Sequence, residues 1–516
     1  MLLKTSDLEE QKVGKELYCY QKGAIDKIFN AFENSPEDYH LLYQLPTGGG
    51  KTVIFSEIVR QYLKHHKKHV LVMTHRIELC KQTSSMLTEF GVHNKVIDSK
   101  ASLEDQDDFD CFVAMVETLN NRLTDDKLDI SNIGLVIIDE AHHNSFSKLF
   151  KFFSKSFILG VTATPLSSNV EMPMTDNYNE LIVGESIASL IENKFLSKAE
   201  MFTYNVGLTS LEVGANGDYT VKSSEDLYTN NEMLSKLLDS YEERCKGKKT
   251  LIFNNGINTS LYVYDLFHTA GYPVAHLDNT ASKKDRASIL KWFKVTPGAI
   301  LTSVSILTTG FDEPTVESII LNRATKSLTL YYQMIGRGSR ILKNKNTFDV
   351  IDLGNNFYRF GPWGSDLDWQ RIFKSPNFYV DSILSDDVIE GNFKYEMPDE
   401  MRAEFANSED VSFDVNETYV AALRNGESSK VVLQRSIEQH AFICIENSED
   451  VFDALILMKL LNDDIDFRIH RYSKCISKST HNFLTWLTDD YKKRLRSYIR
   501  ENFDDIFKSI HGKFPE

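Results

Sequence analysis

Short apolar runs alternate with amphipathic stretches through the first 165 residues: "HLLYQL", "HVLVMTH", "CFVAMV", "IGLVIIDE" and "FILGVTAT". A run that is apolar on both faces belongs to a strand covered on both sides, so the pattern predicts a parallel sheet between two layers of helices. A second series follows, "TLIFNN", "AILTSV", "SIILNRA" and "FDVIDLG", with helical spacing in "NTSLYVYDLFHTAG" and "KKDRASILKWF" between them. Between the series, "SSNVEMPMTDNYN" is polar and aperiodic, and "ESIASLIENKFL" regains helical spacing. After about residue 365 the strand-helix rhythm fades, and "EDVFDALILMKLLND" and "HNFLTWLTDDYKKRLRSYIRENFDDIFKSI" predict helices. The expected architecture is two tandem α/β domains, 1–190 and 191–365, followed by a mainly helical accessory domain, 366–516.

Two punctuations of the first series carry chemistry. In "LYQLPTGGGKTVIF" a buried strand gives way to Thr47, Gly48, Gly49 and Gly50, and then to a helix that begins near Lys51 and Thr52. A backbone stripped of side chains lets peptide N–H groups surround an anion, and a helix N-terminus adds its own. Lys51 then reaches the β- and γ-phosphates of a nucleoside triphosphate, and the Thr52 hydroxyl its Mg²⁺. The strict phosphate-loop pattern has glycine where this chain has Leu45. In "LVIIDEAHH", Asp139 and Glu140 end a buried strand at the carboxyl edge of the sheet, where parallel sheets bind ligands. Asp139 suits the metal shell, and Glu140 the orientation and deprotonation of an attacking water.

"LPTGGGKT", "DEAHH", "TATP" (162–165), "LTTGFDEP" (307–314) and "QMIGRGSR" (333–340) resemble, in order and interval, motifs I, II, III, V and VI of superfamily 2 helicases. The likeness covers about residues 15–370 and is nearest to the helicase subunits of type I and type III restriction enzymes and related DNA-repair helicases, whose second-domain tail "VIDLGNNFYRFG" also resembles. The resemblance implies RecA-like domains and a role for each matching residue. In "LYCYQ", Gln21 would read the adenine edge, with Tyr18 stacking on the base where an arginine is often found. Gly310 and Asp312 would face the nucleotide from the second domain. Gln333, Arg337 and Arg340 would complete the site, the arginines stabilising the transferring phosphoryl group by roughly 10³- to 10⁵-fold in rate. His142, with Thr162 and Thr164, would couple the nucleotide to the second domain; capping by the threonine hydroxyls is the plainer alternative. Nucleic-acid grips would be Thr74, His75 and Arg76 in "THRIEL", Thr118 in "VETL", Asn254 and Asn255, and Thr308 and Thr309, suited to phosphates rather than base edges.

Composition narrows the class. Six scattered cysteines suggest neither a disulfide framework nor a zinc site, and no apolar run reaches membrane-spanning length. A cytoplasmic protein with no membrane partner is expected. A formal net charge of −16 speaks against indiscriminate coating of nucleic acid, yet charge is segregated. Residues 380–417 hold twelve acids and two bases, whereas 468–500 hold nine Lys or Arg and two acids, so a local basic groove stays open. In the latter segment Lys492, Lys493, Arg494, Arg496 and Arg500 crowd one helix beside Tyr472, Phe483, Trp486, Tyr491 and Tyr498. Phe483 and Trp486 are expected in the helix core; the basic residues face either DNA or the acidic segment. The expected function is an ATP- and Mg²⁺-dependent DNA helicase or duplex translocase in repair or phage defence. Partner subunits would supply any nuclease, since no nuclease motif is visible. An RNA helicase and a nucleotide-driven switch or scaffold are the alternatives.

Overall fold

The computed structural model describes residues 15–511 apart from 37, 98–107, 125–129, 168–171, 205, 209, 305, 309, 392–394, 396 and 477–480. Seven parallel strands form the first sheet: β1 (His40–Gln44), β2 (His69–Thr74), β3 (Asn94–Ile97), β4 (Cys111–Met115), β5 (Ile133–Asp139), β6 (Phe157–Thr162) and β7 (Glu180–Val183). Their spatial order is β3-β4-β2-β5-β6-β1-β7. Register brings Gln44 opposite Thr162 and Asp139 opposite Val161, so the glycine loop, the acidic pair and the "TATP" segment all leave one edge of the sheet. Alternation sorts the side chains: Leu41 and Tyr43 pack with Ile54, Phe55 and Ile58 of the helix Lys51–His65, while Leu42 faces the opposite layer.

The second sheet has six parallel strands, β8 (Lys198–Thr203), β9 (Thr250–Asn254), β10 (Val274–Leu277), β11 (Ile300–Ser303), β12 (Ser318–Asn322) and β13 (Thr347–Asp352), ordered β10-β11-β9-β12-β13-β8. The chain crosses from one sheet to the other between β7 and β8, through the short helix Ile187–Glu192. One apolar cluster runs through both domains, joining Leu42, Ile138 and Leu196 to Leu251, Leu328 and Phe348. The two sheets therefore share packed surface rather than being hinged apart.

Past residue 365 the chain first returns to the opening domain. Trp369, Ile372 and Phe373 bury one side of the helix Trp369–Lys374, and Gln370 Nε2 donates to the Leu181 carbonyl of β7 at 2.7 Å. Residues 369–374, expected in the accessory domain, thus close the edge of the first sheet. The helices Val415–Arg424, Lys430–Glu446, Val451–Leu460, Asn462–Cys475 and His481–His511 then build a separate core around Leu433, Ile465, Leu495 and Ile499. This region sits on the second domain: Tyr358 meets Thr203 of β8 at 3.2 Å and carries the Arg471 guanidinium 5.4 Å from its ring centre.

Candidate nucleotide site

The glycine loop takes the conformation its residues permit. Gly48 and Gly50 adopt φ of +94° and +88°, left-handed geometry that a side chain would strain. Leu45, at the position of the missing glycine, is fully buried, and a Cβ on Gly49 would lie 2.7 Å from its Cγ. The leucine fills the floor beneath the loop, so the departure from the strict pattern is a packing solution. Lys51 Nζ donates to the Leu45 carbonyl at 3.1 Å, and burial lowers its pKa against the pull of Glu140 and Asp139. Burial and then the neighbouring Glu140 push the Asp139 carboxyl up to about 7, with Lys51 opposing. A carboxyl in that condition gains from a cation at its side.

Glu140 is a non-glycine residue at φ +54°, and its Oε2 is buried without a hydrogen-bond partner. Strain of this kind persists where the surroundings over-determine it, often at functional sites. His142 Nδ1 lies 3.5 Å from that oxygen and 3.0 Å from Thr162 Oγ1. Thr162 Oγ1 already donates to the Thr164 carbonyl at 2.9 Å, so His142 must donate, as the Nδ1–H tautomer. Burial holds His142 well below its ordinary pKa, consistent with a neutral ring. The His75 and His143 rings pack at a tilt beside it, 4.3 Å apart, and burial depresses both, His75 to about 3. No group of three metal-ligating side chains forms among the described residues.

The line continues across the domains. Thr164 Oγ1 donates to Thr329 Oγ1 at 2.8 Å, and Thr329 lies one turn before Gln333 in the helix Leu328–Ile335. Arg337 is buried; its Nη1 and Nη2 donate to the carbonyls of Phe311 and Thr308 at 2.6 and 2.7 Å. Burial, then Arg340, lower its pKa to about 10. Arg340 Nε donates to Asp312 Oδ1 at 2.6 Å, so Asp312 aims the arginine. A Cβ on Gly48 would lie 2.5 Å from Arg340 Nη1, and one on Gly336 would lie 2.8 Å from Thr47 Cβ. The phosphate loop and the "GRGSR" turn are in contact. Buried polar atoms of this cleft without a partner among the described residues include Glu140 Oε2, Gln333 Nε2, Arg337 Nε and Arg340 Nη1. Three donors and one acceptor beside a glycine cradle fit a phosphate chain and a water. With Thr52 and Asp139 as hard oxygen donors, the set also fits Mg²⁺.

At the far end of the loop, Gln21 Oε1 accepts from the Tyr18 amide at 3.0 Å, and the Tyr20 hydroxyl donates to the Gly49 carbonyl at 2.7 Å. Tyr18 is half exposed and packs at a tilt of 42° against Phe195, 4.4 Å away, which comes from the crossing between the sheets. Tyr20, Phe195 and Thr329 escaped the sequence reading. Only Tyr20 left a trace there, as the second aromatic of "LYCYQ".

The expected nucleic-acid grips divide. Thr74 and Asn254 are fully buried: Thr74 Oγ1 donates to the Arg76 carbonyl at 3.1 Å, and Asn254 Nδ2 to Thr302 Oγ1 at 2.9 Å. Thr74 ties its own strand end to the turn that follows, Asn254 joins neighbouring strand ends, and both side chains are buried away from a phosphate, which corrects those two assignments. Thr308 is buried, with its carbonyl on Arg337; Gly310, at φ +72°, accepts from Gln82 through its carbonyl; Thr309 lies outside the described residues. Thr118 is half-buried on the helix Val116–Thr124. Arg76 and Asn255 line a groove of about 660 Å³ between the domains, with Asp278, Asn279, Arg286 and Ile306. The groove is bridged by Arg76 to the Ile306 carbonyl at 3.2 Å and by an Arg286–Glu78 ion pair.

Comparison with known proteins agrees with this geometry. Residues 14–167 match the family model for the type III restriction enzyme res subunit, and residues 229–342 that for the helicase conserved C-terminal domain. The chain belongs to the superfamily 2 helicases. Its core is that of an ATP hydrolase. IRC3 of Saccharomyces cerevisiae, named as an ATP-dependent helicase, is 28% identical over 371 residues, covering 67% of this chain and 53% of the relative. A type I restriction enzyme EcoAI endonuclease subunit of Escherichia coli is 23% identical over 402 residues, covering 67% and 47%. This helicase chain therefore spans about half the length of these two relatives. The solved structure of the ATP-dependent type ISP restriction-modification enzyme LlaBIII bound to DNA shares its fold, with a TM-score of 0.53 and 13% identity over 97% of this chain and 43% of that one. No helix of the described residues is long and apolar enough to cross a membrane.

Proposed function

We propose that this helicase is an ATP-dependent DNA motor, a translocase or helicase on duplex or branched DNA, working in repair or phage defence. The observation that carries it is the cleft in which the second domain's Arg340 meets the phosphate loop of the first, with buried donors and an acceptor left unpaired. Residues 1–190 and 191–365 are read as the motor domains, and 366–516 as the accessory region.

Under this reading Gly48, Gly49, Gly50 and Lys51 bind the phosphates. Thr52 and Asp139 would hold Mg²⁺, which would supply positive charge to the phosphates. Gln21 and Tyr18 receive the adenine. Glu140 takes the proton of the attacking water, and its strained backbone fixes the carboxylate in place. Arg340, aimed by Asp312, and the buried Arg337 sit where negative charge develops. His142, Thr162, Thr164 and Thr329 join the water-activating end to the helix that carries Gln333, so occupancy of one domain is felt by the other.

DNA is preferred as the track because restriction and DNA-bound proteins stand among the similar chains. Arg76 and Asn255, in the groove between the domains, are the grips retained. Partner subunits, nuclease included, belong to this reading because an endonuclease subunit of a restriction enzyme stands among the similar chains. The test is ATP hydrolysis measured alone and with duplex DNA, single-stranded DNA and RNA. Duplex or forked DNA should stimulate most. Stronger stimulation by RNA overturns the choice of track, and ATP binding without turnover makes the chain a switch.

A further inference from the structure

The C-terminal helix His481–His511 has two unlike faces. Leu487, Tyr491, Leu495, Ile499, Phe503 and Phe507 are buried in the helical core. Trp486, Lys493, Arg496 and Arg500 are exposed, and at about 100° per residue they share an arc of roughly 80°. Trp486, expected in the core, is 59% exposed. Asp489 and Asp504 lie in the same arc, one before and one after the basic residues along the helix, and the stretch between them is net positive. Arg494 is engaged, donating through Nη2 to Gln434 Oε1 at 2.6 Å. Lys493, Arg496 and Arg500 have no carboxylate within ion-pair distance among the described residues.

Among the described residues no acid of the segment 380–417 pairs with this face: Asp386 pairs with Arg359 and Lys326, and Asp414 caps the helix Val415–Arg424. A membrane surface is a poor fit, because a helix lying in a bilayer interface must offer its apolar face, and here that face is used up by the core. A polyanion of regular spacing fits best. Seven residues of helix rise about 10 Å, the length over which one strand of B-DNA presents about three phosphates at ~3.4 Å each.

We propose that the exposed face carrying Lys493, Arg496 and Arg500 is a second contact for duplex DNA, outside the motor cleft and independent of ATP. Trp486, at one end of the line and 5.9 Å from Phe483, offers a flat apolar surface to a base at a duplex end or fork. The inference rests on the DNA-motor reading above and adds a surface which that reading does not require.

The experiment uses the full chain and a fluorescent duplex, with binding followed by anisotropy across a salt series. The variant is Lys493→Gln, Arg496→Gln and Arg500→Gln together; glutamine keeps helix propensity near that of lysine and arginine, and circular dichroism verifies the fold. Each phosphate contact contributes about 0.9 to the slope of log affinity against log salt, so the slope should shrink by roughly 2 to 3. Affinity at low salt should fall at least about tenfold by the same relation, with DNA-free ATP hydrolysis unchanged. A folded variant with wild-type affinity and slope overturns this surface and leaves the motor reading intact. A wild-type chain that binds no duplex overturns both, and selective loss of RNA-duplex binding with DNA binding kept overturns the choice of DNA.

Discussion

The motor cleft and the core of the helical region both bury charged and polar side chains, but they treat them in opposite ways. In the helical core the chain through His440, Asp464, Arg468 and Tyr491 is paired, although Gln439 Nε2 beside it and Asn416 Nδ2 have no partner among the described residues: His440 Nε2 meets Asp464 Oδ2 at 2.9 Å, Tyr491 meets His440 Nδ1 at 2.9 Å and Ser436 at 2.7 Å, and Arg468 donates twice to Asp464, at 2.8 and 2.7 Å. In the cleft, Glu140 Oε2, Gln333 Nε2, Arg337 Nε and Arg340 Nη1 have no partner among the described residues. Leaving a buried group unpaired costs about 1–3 kcal/mol, more if it is charged. A saturated network therefore reports structure, and a cluster of unpaired atoms reports a place that a ligand completes. A Ser-Tyr-His-Asp chain read as a motif would invite a catalytic story; its burial and saturation give it a structural role.

The largest effects should come from the unpaired side. Lys51→Ala and Glu140→Gln should abolish ATP turnover while the melting temperature stays within a few degrees. Glu140→Gln should still bind ATP, as read by a fluorescent nucleotide. Arg340→Ala should bind ATP and hydrolyse it roughly 10³-fold or more slowly. A variant that instead unfolds would put these groups on the structural side of the comparison.

Next come the saturated groups, with the opposite signature. Asp464→Ala strands the Arg468 charge and should cost about 3–5 kcal/mol of helical-region stability by urea denaturation. The same network predicts a pH dependence. Burial, then the Arg468 charge, hold His440 at about 4, against an unfolded value near 6.5. Between these values the unfolded chain binds more protons, so stability falls as pH drops from about 6.5 to about 4 and then levels for this group. Asp464, whose burial is outweighed by His440 and Arg468, is held below the usual carboxylate range and gives a further loss at lower pH. A flat urea midpoint between pH 7 and 5 would show that His440 is not buried as a neutral ring.

The third effect is intermediate because Thr329 belongs to both categories: it is paired, but across the cleft. Thr329→Val removes the bond to Thr164 at a cost of about 1 kcal/mol, roughly fivefold. That loss should appear in kcat with DNA, with KM for ATP unchanged, and Thr329→Ser should restore it. The smallest effect belongs to the Glu78–Arg286 pair at the groove. It is partly exposed, and pairs of that kind contribute about 0–1 kcal/mol, so Glu78→Gln should leave ATP hydrolysis nearly unchanged.

The strand runs were legible because continuous burial needs continuous apolar residues, and β5 is buried along its whole length. The glycine loop and the acidic pair were legible because their chemistry is local: a few consecutive residues make the cradle. Contacts at long separation were not. Thr164 and Thr329 are 165 residues apart, and nothing in "SLTLYY" marks its threonine. Asn254 looked like a polar grip at a strand end, but neighbouring strands bring Thr302 and Asn322 to its amide and remove it from solvent. Trp486 looked like core, yet the face set by Leu487, Tyr491 and Leu495 turns it outward by one helical position.

By itself, then, the order of residues determined which segments become strands, where the backbone must be bare to receive an anion, and which two acids and two arginines are available for chemistry. These follow from period, from φ and from residue type, which are properties of neighbours along the chain. Tertiary structure alone decided that Arg340 reaches Gly48, that Phe195 packs at a tilt against Tyr18, and that the ionic groups of one buried cluster are paired while those of the other are left open. The physical reason is that burial and hydrogen-bond satisfaction depend on what the rest of the molecule places within about 3 Å of an atom, and no local pattern contains that distance.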